Sequence, residues 1–321
     1  MPVGPCRSGD KGQMTSELQS VSFVVPCYRN LRTIGFTLRS IFSQDGASDR
    51  EVVIVDSSEE SVADWLKVHF PKVRLLRPER RLWAGAARNL GAASVRGDLL
   101  AFVDADAMLQ PNWLTTLRLR LSERPDTVAT GGFVENANPR APASRVLHWT
   151  EFSEFLPGRP SGPRRFLSSS NLLVRREEFL RVGGFPEHLP ASEDRVLFQR
   201  YVSDGVGRPF WDGSTGILHY HRARWFEARA HLFGLGYWGG RVRREHAGLE
   251  GGWLARNPAA ALLLPLYRTP LILLRVCRAQ PRRIASAVAL APLLGLATIS
   301  WARGFRAGLM EKGAPAWVSG E

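Results

Sequence analysis

Lysine is nearly missing from this sequence. It stands only at positions 11, 67, 72 and 312, so almost all of the 43 basic residues are arginine. Cysteine is scarce as well. Cys6, Cys27 and Cys277 lie far apart and are odd in number, which excludes a disulfide framework and a cysteine metal site and fits a reducing compartment. The first twenty residues hold no apolar core, so no signal peptide is expected and residues 1–19 read as a disordered tail. No G-x-G-x-x-G follows the first apolar run, where Pro26-Cys-Tyr28 stands instead, and this speaks against a dinucleotide-dependent oxidoreductase. There is no internal repeat and no recognised nucleic-acid-binding module, so no nucleic-acid partner is expected despite a net charge of +13. That charge suits phosphate-bearing ligands or anionic lipid, and codon bias toward arginine accounts for part of it.

What is present is an alternation of short apolar runs with helical periodicities. Residues 21–25, 51–55, 73–76, 99–103 and 127–134 read as strands. Between them, Leu31, Ile34, Leu38, Ile41 and Phe42 recur at helical spacing, and residues 62–70, 85–94 and 111–122 read as further helices. Such alternation implies an α/β fold with a parallel, doubly wound sheet. Residues 135–165 are rich in Pro, Arg and Gly and read as a mobile loop around a short helix near 145–155. A short helix from Arg175 is stopped by Gly183 and Gly184, and Ser192-Glu193-Asp194 opens another that runs to Ser203. Residues 217–221 read as a strand carrying His219 and His221 on one face.

The central stretch runs from Leu99 through Asp104-Ala-Asp106 to Leu109. Along an extended chain the two carboxylates point to the same side, at the carboxyl end of a buried strand. That edge of an open α/β sheet is where ligands bind, and two carboxylates there suit a hard divalent cation bridging a diphosphate. The plainer alternative is a turn residue and a helix cap.

Composition shifts near Arg222. Residues 222–245 are aromatic and basic, and two apolar stretches follow, 258–274 and 284–302. The second is long enough to cross a membrane. Arg275, Arg278, Arg282 and Arg283 lie between the two, however, and a hairpin would carry them to the far side. Arg268 would stand mid-span, at a cost of about 2.5–3.5 kcal/mol. Helices lying in the cytoplasmic interface are therefore expected, with soluble core helices or insertion as alternatives.

Taken in order, Pro26-Cys-Tyr28, Asp56 after the second strand, Gly85-Ala-Ala-Arg88-Asn89-Leu-Gly91, Asp104-Ala-Asp106, Gly183-Gly184-Phe185 and Glu193-Asp194 resemble the motifs of family 2 glycosyltransferases over residues 21–225. The resemblance implies a GT-A fold, Rossmann-like with a mostly parallel central sheet, over 20–225. It also implies a membrane-associated helical region over 226–321, at the cytoplasmic face of a bacterial membrane. It further implies inverting transfer of a sugar from a nucleotide-diphosphate sugar to an acceptor hydroxyl on a glycan or polyprenyl-linked carrier.

By the same resemblance, Asp106 holds Mg²⁺ or Mn²⁺, with His219 or His221 completing the site. Pro26, Tyr28, Asp56, Gly85, Arg88 and Asp104 contact the donor: Asp56 reads the base, and Arg88 pairs with the nucleotide. Asp194 is the general base, with Glu193 as alternative or partner. The family often has a second acid after the residue at 56, and here that place is Ser57. A glycosidase built on the same acids fits less well, since an Asp pair after a parallel strand suits a nucleotide. A degenerate GT-A domain that binds sugar nucleotide as a scaffold is the remaining alternative.

Overall fold

A computed structural model describes residues 19–45, 50–246 and 248–310. The expected tail lies, but for Gln19, outside the described residues, as does Cys6.

The first third of the chain builds the parallel part of one sheet. Strands β1 (Val21–Cys27), β2 (Glu51–Asp56), β3 (Arg74–Leu76) and β4 (Leu99–Val103) lie in the order β3-β2-β1-β4, all parallel. Every residue of β4 is buried, because helices cover both faces. These are α1 (Ile34–Phe42), α2 (Ala63–His69) and α3 (Ala84–Ser94). Helix α1 buries Ile34, Leu38 and Ile41, the stripe that its periodicity predicts. Helix α3 is made of small residues, and it lies so close to β1 that a Cβ on Gly91 would collide with Val24.

Beyond β4 the sheet becomes mixed. Strand β5 (Ala107–Leu109) is followed by α4 (Trp113–Glu123), β6 (Thr127–Asn136), α5 (Pro142–Phe152), β7 (Gly162–Pro163) and β8 (Asn171–Arg175). Then come α6 (Arg176–Arg181), α7 (Glu193–Ser203) and β9 (Arg208–His219). Strand β8 runs antiparallel between β4 and β6, while β9 is parallel to β6 and antiparallel to β5 and β7. The mostly parallel order thus holds through β4 and gives way afterwards, because the chain leaves β6 and re-enters β8 at the same edge. The carboxyl ends of β1, β2, β4, β6 and β9 consequently share one edge with the start of β8.

One local expectation is corrected. The chain leaves β4 at Val103 and turns before β5, so Asp104 and Asp106 lie on a turn and not on one extended strand. The short helix expected within 135–165 is present as α5, three residues earlier in the chain, and it buries Val146, Leu147 and Trp149.

The last quarter is helical, with α8 (Trp225–Glu245), α9 (Leu264–Ala279), α10 (Ile284–Ala289) and α11 (Ala291–Leu309). Helices α8 and α11 touch backbone to backbone. A Cβ on Gly236 or Gly240 would strike the carbonyl oxygens of Trp301 and Phe305, and one on Gly304 or Gly308 those of Phe233 and Tyr237. The partners climb together in number, so the two helices run in the same direction. Val146, Leu147 and Trp149 of α5 share an apolar cluster with Leu232, Ile272 and Leu294, which binds the helical region to the sheet region.

Among the described residues one helical stretch, Pro258–Ala279, is long and apolar enough to cross a membrane. The second apolar stretch is bent by 75° between Ala289 and Ala291. Leu262, Leu263, Leu266, Tyr267, Val288 and Leu296 are exposed on this region, each at half or more of its full area.

Candidate active site

The site begins with the turn after β4. In the register of β5 on β9, Ala107 faces His219, so the His219 ring comes up beside the preceding turn. Its Nε2 lies 3.4 Å from Asp106 Oδ1 and 3.9 Å from Asp104 Oδ2. One ligand atom from each of the three residues fits within 4.8 Å of the others. Burial disfavours the His219 imidazolium, but Asp106 and Asp104 outweigh that and raise its pKa to about 9. Burial and repulsion from Asp104 push Asp106 up, with His219 opposing. The three donors thus already satisfy one positive charge. Two carboxylate oxygens and an imidazole nitrogen are a donor set that Mn²⁺ or Mg²⁺ can use.

His221 does not join that group. Strand β9 ends at His219, and Asn138 takes both the amide and the carbonyl of His221, at 2.8 and 2.7 Å. The His221 Nε2 faces His148 Nδ1 at 3.1 Å. The rule that places residues i and i+2 on one face fails where the strand stops. His148 is buried, and the half-buried His231 has its Nε2 3.6 Å from Glu151.

Arg88 is engaged within the protein. It is 2% exposed and bridges two carboxylates, Asp104 Oδ1 at 2.5 Å and Glu193 Oε1 at 2.8 Å. Its guanidinium is a strut between the β4 turn and the start of α7, at the wall of the cavity described below. Glu193 also accepts from Ser169 Oγ at 2.9 Å and is thereby held in place. Gly85 belongs to the same joint. A Cβ there would press on Pro186 O at 3.1 Å and on Glu193 Cγ at 3.3 Å.

Asp56 is fully buried and already engaged. It accepts from Ser58 N, Ser61 Oγ, Val62 N and Arg77 Nη1, at 2.8–3.1 Å. Burial works against its charge, but the bonds from Ser58, Val62 and Arg77 hold its carboxyl below the ordinary value. Pro26 and Tyr28 stand at the end of β1. The Tyr28 hydroxyl donates to Glu59 at 2.9 Å, and Arg81 lies over the ring, 4.0 Å from its centroid.

Asp194 lines the cavity with one carboxylate oxygen unpaired. Its Oδ1 accepts from the Arg195 amide at 2.7 Å, and Oδ2 has no hydrogen-bond partner among the described residues. Burial and the charge of Glu193 raise its pKa to about 7. Ser192, two residues before it and immediately ahead of α7, takes φ 66°, a left-handed conformation rare for a residue with a side chain.

One cavity of about 270 Å³ brings together Arg88, Asp104, Glu193, Asp194 and His219, while Pro26, Tyr28, Asp56, Gly85, Asp106 and His221 are not part of its lining. Arg88, Asp104 and His219 line one end, and Glu193 and Asp194 the flank. The opposite end is made by Arg195 of α7, Arg243 of α8, Arg268 of α9 and Trp301 of α11. The basic strip from Arg222 to Arg244, suited by its charge to an acceptor phosphate or to lipid, and the charge of Arg268 in an apolar stretch were the sequence signals for that end.

Comparison with known proteins supplies the context. Residues 22–182 match the family model described as "Glycosyl transferase family 2". The glycosyltransferase AglE of Haloferax volcanii is 26% identical over 218 residues, 66% of this chain and 70% of that protein. The glucosyl-dolichyl phosphate glucuronosyltransferase of the same organism is 30% identical over 205 residues, 58% of this chain and 64% of its own length. The alignments therefore leave about a third of each relative unmatched. Among solved structures, a Pyrobaculum calidifontis mannosyltransferase in complex with GDP-Man and Mn²⁺ superposes with a TM-score of 0.56 at 18% identity, covering 92% of this chain and 86% of that one. The fold is of the GT-A type.

Proposed function

The chain belongs to the family 2 glycosyltransferases, enzymes that use nucleotide sugars, and we propose that it transfers a sugar with inversion from a nucleotide-diphosphate sugar to an acceptor hydroxyl, with the help of a divalent cation. The observation that carries the reading is that Asp104 and His219, two members of a three-donor group that could hold a cation, line one cavity together with the raised carboxylate of Asp194. By their own descriptions, the glucuronosyltransferase named above acts on a glucosyl-dolichyl phosphate and the solved mannosyltransferase binds GDP-Man, and this supports the donor class.

Asp104, Asp106 and His219 would hold Mn²⁺ or Mg²⁺, whose chemistry is to neutralise charge on the departing diphosphate. Asp194 takes the proton of the acceptor hydroxyl at its open oxygen. A carboxylate with a pKa near 7 is a competent base at neutral pH, and inversion needs only one. Glu193 keeps that pKa high, and Arg88 and Ser169 keep Glu193 in place. Pro26, Tyr28, Asp56 and Gly85 form the nucleotide side, where Asp56 acts chiefly by fixing the loop 57–62.

We divide the chain into a catalytic domain, 20–225, and a helical region from 226 onward that rests on the cytoplasmic face of a membrane. The exposed leucines of 262–266 supply an apolar face, and the basic excess suits anionic lipid. A glycan or polyprenyl-linked acceptor fits that location.

The first test is a thermal-shift screen with UDP, GDP and dTDP sugars and the free nucleotides, with and without Mn²⁺. A cation-dependent rise in Tm with one nucleotide class is expected. A rise with NAD(P) alone, or the same rise in EDTA, would remove this reading.

A further inference from the structure

Three arginines from three separate helices meet at the end of the cavity away from the Asp pair. Arg195 follows Asp194 on α7, Arg243 comes from α8 and Arg268 from α9. Each is posed by its surroundings. The Arg195 guanidinium lies 3.8 Å from the centroid of the Phe166 ring, and that of Arg268 lies 3.9 Å from Trp301. Arg243 donates to the carbonyl oxygens of Gly239, at 2.8 Å, and Glu250, at 2.5 Å.

None of the three makes an ion pair with a carboxylate within 4.0 Å among the described residues. Nearby acids are taken by other arginines: Glu154 by Arg275 at 3.2 Å, and the Glu250 carboxylate by Arg165 at 2.8 Å. Donors are left over. A guanidinium carries five N–H groups, and the Nε of Arg268 is shielded from water with no partner among the described residues. Burial, with repulsion from Arg195 and Arg268, brings the pKa of Arg243 down to about 9. Glu250 and Asp194 act on Arg243, and Glu154 on Arg268, without forming an ion pair with them. Like charges gathered under partial desolvation with no paired carboxylate are costly, and an anion would relieve that cost.

The location separates this anion from the donor diphosphate. A second cavity, of about 190 Å³, adjoins the first and shares Arg195, Arg243 and Arg268 with it. It touches neither Asp104 nor His219, and its far wall is Leu264, Tyr267 and Leu271 of α9. The arginines therefore stand between the base and the apolar helical face. Three fork-shaped cations suit the several oxygens and double charge of a phosphate better than one carboxylate.

We propose that Arg195, Arg243 and Arg268 form a phosphate subsite that holds the acceptor by its own phosphate group, with the hydroxyl to be glycosylated turned toward Asp194. The assignment to an acceptor rests on the transferase reading above. The subsite itself rests on the three arginines and their cavity.

The test uses the full chain in EDTA, where Asp104 and Asp106 repel anions. Inorganic phosphate, citronellyl phosphate and uncharged citronellol are titrated into the parent and into Arg243→Gln and Arg268→Gln. Arg243→Lys and Arg268→Lys are made alongside, because they keep the charge that the packing accommodates. Binding of UDP or GDP with Mn²⁺ reports that each variant is folded.

Both phosphates should bind the parent, and each glutamine variant should weaken them about tenfold or more while nucleotide binding holds. Lysine variants should lose less. Tighter binding of citronellyl phosphate than of inorganic phosphate identifies a lipid phosphate as the source, and equal binding a soluble phosphorylated acceptor; both support the subsite. Unchanged affinity in folded variants, or citronellol binding as well as its phosphate, overturns it. Failure of the parent to bind any nucleotide would count against the transferase reading and leave the phosphate result standing on its own.

Discussion

The two ends of the cavity are opposite in charge and in origin. One end is acidic and comes from the sheet: Asp104 and Asp106 on a turn after β4, and His219 at the end of β9. The other is basic and comes from helices: Arg195, Arg243 and Arg268, with Trp301. The acidic end is internally balanced, since His219 and Arg88 answer its carboxylates. At the basic end no carboxylate forms an ion pair with the three arginines among the described residues. A site that balances its own charge can be assembled before any ligand arrives, whereas the unbalanced end reports the ligand it waits for.

The contrast yields predictions of decreasing size. Asp194 stands between the ends, and Asp194→Asn should lower kcat by about 10²–10⁴. Nucleotide binding, measured by calorimetry with Mn²⁺, should persist. If the variant turned over at the parent rate, the base would have to be sought elsewhere.

The same residue carries a stability signature. Its pKa of about 7 in the folded chain lies above the ordinary 3.8, so the folded state holds a proton that the unfolded chain releases. Stability therefore falls as pH rises from about 4 to about 7. Asp194→Asn should melt higher than the parent at pH 8 and differ little from it at pH 4.

Asp106→Asn should act only at the acidic end. It should remove the Mn²⁺-dependent part of the nucleotide thermal shift, which for a ligand at 100 times its Kd is about 2.7 kcal/mol. Phosphate binding in EDTA should be untouched, and a parallel loss of both would mean that the two ends are one site.

Gly240→Leu addresses the basic end through its scaffold. The larger side chain must push α8 from α11, where Phe305 O now stands. Overpacking of this kind costs about 1–3 kcal/mol. Arg243 would shift with α8, so phosphate binding should suffer more than nucleotide binding.

The smallest effects concern tuning and location. Glu193→Gln removes the negative charge that helps raise Asp194, so the acid limb of the kcat/KM profile should move below pH 7. Leu266→Asp, at a position 75% exposed, should weaken partition onto anionic vesicles without altering turnover of a soluble acceptor. Equal partition of parent and variant would place membrane contact on another face.

The strands, most helices and the edge that carries the site were legible in the sequence, because each follows from short-range pattern. Buried runs such as 99–103 announce parallel strands, and the residues after them fall at one edge by the geometry of the crossover. The acids at 104 and 106 and the histidine at 219, which the structure gathers into one group, were nominated without coordinates, and those at 193 and 194 were nominated through the resemblance. What depended on tertiary structure was pairing over long separations. The register of β5 on β9 selected His219 and left His221 to His148. Arg88 met Glu193 across 105 residues and became a strut. The glycine contact of α8 with α11 brought Arg243 to a cavity begun more than a hundred residues earlier. Periodicity encodes which face of an element is buried, but it carries no record of which distant element covers that face.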